Sequence, residues 1–270
     1  MFDTSLANRR HLKALAAAAL LPLAGLLPTA IPAAFAESSA ILEGERFHPQ
    51  EGQHGMVATS HYLASQVARD VLADGGNAVD AAVVAGFALA VTQPRSGNIG
   101  GGGFMLVSDE NTGEVVAIDY REKAPAAASE TMFQDENGEA VSEWSRFTHR
   151  AAGVPGTVAG LAKALEDYGT LSLEQALAPA IKLAEDGFVI PTRFAKGLSD
   201  AKDRLARWDS TAKVFYKPDG SNYQAGELFK QPELAATLKR IAANGPREFY
   251  EGETARLIVA EMERHDGIMT

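Results

Sequence analysis

The 270 residues are 46% hydrophobic and carry a net charge of −10, which is enough apolar material for one sizeable core or two modest ones. Residues 1–36 hold Asp3 against Arg9, Arg10 and Lys13, so the remaining 22 basic and 34 acidic residues carry a net −12. That balance excludes a basic nucleic-acid-binding surface, and the absence of cysteine excludes disulfides, thiol nucleophiles and cysteine-ligated metals.

In chain order, Arg9, Arg10 and Lys13 precede ALAAAALLPLAGLLPTAIPAAFA, 23 residues without a charge. A basic start, an apolar run and a closing Ala34-Phe35-Ala36 have the form of a secretory signal cleaved between Ala36 and Glu37. The length would also allow a membrane anchor, but Pro22, Pro28 and Pro32 and the small-residue ending favour cleavage. Arg9-Arg10 hints weakly at twin-arginine export. The expectation is a signal over 1–36 and a periplasmic or secreted mature protein. Residues 37–54 are polar and aperiodic, and read as an extended mature N-terminus.

From Gly55 the pattern sharpens. Ser60 is placed to cap a helix with Leu63, Val67 and Val71 on one face, closing at Gly75-Gly76. Asn77, with Asp80 at the dipole's positive end, caps a second helix, AVDAAVVAGFALAV. It is apolar on every face and is therefore expected to be buried between layers. Next comes RSGNIGGGGFMLV, in which Gly100, Gly101, Gly102 and Gly103 run straight into an apolar stretch. FMLVSD and EVVAIDYRE, joined by ENTG, read as a β-hairpin. Downstream, GVPG opens a helical region in which Ser172 and Gln175 form a capping box for LEQALAPAIKLAEDG. Further helices are expected over roughly 192–208, 232–244 and 252–264, with 209–228 as an exposed excursion.

The four glycines do not match known phosphate loops. A P-loop needs Gly-Lys-Ser/Thr and then a helix, and the dinucleotide fingerprint needs strand before and helix after, whereas here a strand follows. No G-x-S-x-G elbow is present, and the six histidines show neither HExxH nor His-x-His spacing. His61 reads as a helix-start hydrogen-bonding residue, and no metal or cofactor is implied. The glycines read as scaffold, letting two layers meet closely at a bend that aims the hairpin. At its end stands Tyr120-Arg121-Glu122. Arg121 is either a surface arginine or a guanidinium that grips a carboxylate with both its donors, with Glu122 orienting it.

The stretch GMVATSHYLASQVARDVLADGGNAVDAAVVAGFALAVTQPRSGNIGGGGFMLV followed by AIDYREKAPAAAS resembles the N-terminal part of a gamma-glutamyltransferase (gamma-glutamyltranspeptidase). AGVPGTVAGL, PAIKLAEDGFVI and QPELAATLKRIAANGPREFYEG resemble later segments of that family in the same order. The resemblance runs from about Gly55 to Thr270. It implies an α/β fold, the four-layer αββα sandwich of N-terminal-nucleophile hydrolases, incomplete here. It implies a proenzyme that cleaves itself into large and small subunits, frees an N-terminal threonine and forms a γ-glutamyl enzyme on it. It further implies that Arg121, the arginine of an Arg-Glu-x-Ala-Pro segment, holds the α-carboxylate of the γ-glutamyl group. Glutathione and other γ-glutamyl compounds are the implied substrates, with water, an amino acid or a dipeptide as acceptor. The threonine and its oxyanion hole are expected beyond Thr270, so residues 55–270 represent part of a large subunit, inactive without the rest and with its own small subunit as partner. Two alternatives stand beside this: an acylase on the same scaffold acting on a glutaryl-type cephalosporin side chain, and a non-catalytic carboxylate-binding protein.

Overall fold

A computed structural model describes residues 51–270; the expected signal, its cleavage between Ala36 and Glu37, and the extended segment to residue 50 lie outside the described residues. Helix α1 spans Tyr62–Ala73. His61, not Ser60, caps it, because His61 has the extended backbone that a cap requires and its Nδ1 accepts from Leu63 N at 3.3 Å. Burial holds this imidazole below its ordinary pKa. The helix closes over Asp74 and Gly75, where a φ of +93° suits glycine alone among common residues.

Helix α2, Ala78–Thr92, begins at the expected cap Asn77, and Asp80 does more than suit the dipole: it completes a capping box with Asn77. Val83, Val84, Phe87 and Val91 are fully buried. Burial is not complete on every face, however. Ala82 is exposed and Gly86 and Leu89 are half-buried. These small residues border a groove of about 540 Å³ that also meets Met56, Leu72, Met105 and Tyr120. Asp80 is fully buried and ties α2 to a distant turn. It accepts from Asn77 N, Thr170 N, Thr170 Oγ1 and Leu171 N at 2.7–3.0 Å. Asn77 adds a bond from its amide to Tyr168 O at 2.7 Å.

Strands β1, Phe104–Asp109, and β2, Glu114–Asp119, pair antiparallel with Phe104 opposite Asp119 and Asp109 opposite Glu114. The inward face carries Met105, Val107, Val116 and Ile118, while Phe104, Leu106 and Val115 face outward at 64%, 75% and 66% exposure. Helices α3, Trp144–Phe147, and α4, Thr157–Tyr168, precede α5, Leu173–Asp186, whose Ser172–Gln175 capping box is in place. α5 packs between α2 and α9, Pro232–Asn244, around Leu177, Leu238 and Ile241.

Two expectations are corrected beyond α5. The helix anticipated over 192–208 breaks at Ala201 into α6, Thr192–Asp200, and α7, Lys202–Leu205. The segment 209–228 is no open excursion, because its aromatic residues pull it inward. It forms α8, Asp209–Phe215; Tyr216 is buried and donates to Leu198 O at 2.9 Å. Strand β3, Phe188–Val189, then pairs with β4, Leu228–Phe229, where Phe229 gathers Phe188, Phe194, Phe215 and Tyr223. The chain ends in α10, Arg247–Glu251, and α11, Glu253–Arg264. Buried Glu248 accepts from Thr254 N and Oγ1, joining these two. The α/β fold class is as expected, with two two-stranded antiparallel sheets among the described residues.

Candidate carboxylate site at a glycine crossing

Arg121 stands two residues beyond β2, where three stretches of backbone meet. Tyr120 exchanges both of its backbone bonds with Gly103, at 3.0 and 3.3 Å. Lys123 does the same with Val154, at 3.2 and 2.8 Å. The carbonyl of Gly101 accepts from Gly156 N and Thr157 N, at 2.8 and 3.0 Å, and so lies on the N-terminus of α4. Asp119 Oδ1 accepts from Arg121 N at 3.0 Å and fixes the turn out of the strand.

This crossing explains the glycines. None of Gly100 to Gly103 has a positive φ, so conformational freedom is not what they supply. A Cβ on Gly102 would lie 2.6–2.8 Å from the backbone of Tyr120, Arg121 and Glu122. One on Gly103 would lie 2.8–3.0 Å from the Tyr120 ring, and one on Gly101 2.9 Å from Asn98 Oδ1. Gly100 meets only Asn98 Oδ1, at an ordinary 3.6 Å. The close approach of Gly102 and Gly103 is therefore made to the 120–122 segment rather than to α2, while Gly101 lies against Asn98 of its own loop.

Two glycines not singled out from sequence complete the clamp. A Cβ on Gly156 would sit 1.9 Å from Tyr120 O, and one on Gly160 2.1 Å from Tyr120 Cγ. Their i, i+4 spacing at the start of α4 puts both on one face, and this was the signal available in the sequence. Gly160→Ala is expected to cost about 1–3 kcal/mol in urea unfolding, because the root of the Tyr120 side chain must move. Gly197→Ala in α6, where an added Cβ meets nothing within 4 Å, is expected to gain about 0.5–1 kcal/mol instead.

Arg121 and Glu122 are both exposed. The Arg121 guanidinium makes no ion pair or hydrogen bond among the described residues. Glu122 does not orient it; Glu122 Oε1 lies instead beside Gly101, 3.3 Å from where a Cβ would be. The groove along α2 is lined by Tyr120 and not by Arg121, so it is a separate feature. A guanidinium held by rigid backbone with its donors unengaged can take a carboxylate in a forked pair of bonds.

Residues 64–270 match the model of the gamma-glutamyltranspeptidase family. The glutathione hydrolase proenzyme of Escherichia coli (strain K12) is 44% identical over 260 residues, covering 96% of this chain and 44% of that protein. The chain thus spans less than half the length of that curated relative. Among solved structures, the gamma-glutamyltranspeptidase of Helicobacter pylori matches with a TM-score of 0.81 at 47% identity, over 83% of this chain and 64% of that one. A cephalosporin acylase from Bacillus halodurans matches with a TM-score of 0.66 at 30% identity, over 83% of this chain and 44% of that one. The fold class expected from the sequence is shared with these structures. The chain belongs to the gamma-glutamyltranspeptidase family.

Proposed function

We propose that the chain forms the N-terminal part of an exported glutathione hydrolase of the γ-glutamyl-transferring kind, and that Arg121 binds the α-carboxylate of its γ-glutamyl substrate. The unengaged guanidinium at the glycine crossing is the observation that carries this reading. A charge-assisted pair with both donors fixes the acyl group's free end, so that its amide carbonyl is presented to the nucleophile. That nucleophile is the threonine freed by self-cleavage in the part of the protein beyond Thr270, and the acyl group passes to water, an amino acid or a dipeptide. Export removes residues 1–36 and leaves Glu37 first, which the mass of the mature large subunit reads directly.

The likeness to a cephalosporin acylase supports a second reading, in which the acyl group is a glutaryl chain. Both acyl groups end in a carboxylate that Arg121 could hold, and they differ by the α-ammonium. The test compares γ-glutamyl and glutaryl p-nitroanilides with the full-length protein. The γ-glutamyl compound is expected to have the higher kcat/KM by orders of magnitude, since a site built to bond an ammonium rejects an analogue lacking it by up to about 10⁴-fold or more. Equal or reversed preference would transfer the assignment to the acylase reading.

A further inference from the structure

The six histidines are scattered in sequence, yet the fold brings two of them together with a glutamate in a cluster that does not include Arg121. Glu261 lies in the last turns of α11 and His265 caps its C-terminus, so their i, i+4 spacing sets them on one face. His149 arrives from a single 3₁₀ turn, His149–Ala151. The Nε2 atoms of His149 and His265 lie 3.7 and 3.6 Å from the same oxygen, Glu261 Oε1. The two imidazoles stack with centroids 4.5 Å apart, and Trp208 packs against both.

Packing alone leaves His149 unexplained. Its side chain is mostly buried, its Nδ1 has no hydrogen-bond partner, and its Nε2 is too far from Glu261 for a hydrogen bond. The three donor atoms all fall within 4.8 Å of one another. In a tetrahedral zinc site with bonds of 2.0–2.1 Å, neighbouring donors are about 3.3 Å apart. The two nitrogen-to-oxygen separations need close by only a few tenths of an ångström to meet that spacing, and the stacked imidazoles must turn so that both ring nitrogens converge on one ion.

We propose that His149, Glu261 and His265 form a binding site for a divalent transition-metal ion of the zinc class. Two imidazoles and one carboxylate suit zinc, whereas calcium and magnesium call for an all-oxygen set. Partial exposure of Glu261 and His265 gives the ion a way in and leaves a fourth position to water. Two neighbours set the carboxylate: Arg264 pairs with Oε2 at 2.8 Å, and Ser210 Oγ donates to Oε1 at 3.1 Å. The Arg264 charge opposes a cation, so the affinity should fall below that of a closed structural zinc site. Bound metal would fasten α11 to the 3₁₀ turn and the Trp208 segment.

The test uses tag-free full-length protein stripped with a chelator. Titration with Zn²⁺ alone, followed by calorimetry, is expected to show saturable uptake that includes this site, and Co²⁺ is expected to give the visible absorption of a tetrahedral nitrogen-oxygen site. His265→Ala, at a partly exposed helix end, should abolish the Co²⁺ bands and weaken this Zn²⁺ step more than about 100-fold, beyond what the loss of an outer-shell contact causes. His149→Ala and Glu261→Gln should do the same. His54→Ala, on an exposed stretch elsewhere, should change nothing. No saturable uptake, or uptake and spectra identical in wild type and His265→Ala, would overturn the site and leave the imidazole stack as aromatic packing. γ-Glutamyl hydrolysis is read separately, so neither outcome bears on Arg121.

Discussion

Arg121→Ala in the full-length protein is expected to leave self-cleavage intact and to lower kcat/KM for γ-glutamyl p-nitroanilide by roughly 30- to several-thousand-fold. Self-cleavage depends on the fold and the threonine, and an exposed side chain with no partner contributes to neither. A substrate carboxylate desolvated against a missing guanidinium costs about 2–5 kcal/mol, at about 1.4 kcal/mol per factor of ten. Arg121→Lys should fall between alanine and wild type, because a flexible point charge replaces a planar fork. If the contact is as good in the ground state as in the transition state, the loss will sit in KM. Wild-type kcat/KM in the alanine variant, with both subunits formed, would make Arg121 an ordinary surface arginine.

The largest stability effect is expected at Asp80. Its fully buried carboxylate satisfies the partly buried backbone N–H groups of Asn77, Thr170 and Leu171 and the Thr170 hydroxyl. Asp80→Ala strands all of them and should cost about 3–5 kcal/mol, read as a lowered urea midpoint. Burial alone would raise the Asp80 pKa, but the bonds from Leu171, Thr170 and Asn77 outweigh it and hold the group below the usual carboxylate value. The sign follows directly. A depressed folded pKa means that the ionised group stabilises the protein above the ordinary carboxylate range, and that this contribution is lost as pH falls through the folded value. The stability gap between wild type and Asp80→Asn should therefore narrow on acidification. A gap that stays constant down to acid unfolding would show that the charge contributes nothing.

Local signals in the sequence located most of the helices and the hairpin. Asn77 as a cap and Ser172 with Gln175 as a capping box each announce a helix start, and both caps formed, Asp80 completing a box at Asn77 as well. The strand-like runs FMLVSD and EVVAIDYRE, joined by ENTG, announced the hairpin, although β2 ends at Asp119 rather than running on to Glu122. What stayed illegible depends on partners distant in the chain. Nothing near Tyr216 says that it will bond Leu198, so the segment around it looked exposed. His61 took the cap from Ser60 through an imidazole nitrogen, an acceptor that local propensity ranks low for a cap. The glycine run gave the position of the crossing but not its partner, because Gly156 and Gly160 lie on a helix that folds back from farther along. Arg121 itself was found by its surroundings in the family motif; its freedom from neighbours is visible only in three dimensions.

The crossing at Arg121 is built almost wholly from main-chain atoms: Gly101 O on α4, Gly103 paired with Tyr120, Lys123 paired with Val154. The position of the arginine's Cα is thus set by peptide groups that every amino acid carries. The exposed side chain of Lys123, on the rim beside the crossing, can be varied widely without shifting it, while the glycines beneath cannot. For anyone reshaping acyl-group selectivity, this separates a fixed anchor from a freely editable surround. If Arg121 binds the substrate carboxylate as proposed, a library that randomises the rim and preserves Gly102, Gly156 and Gly160 is expected to sample new substrates without moving that arginine.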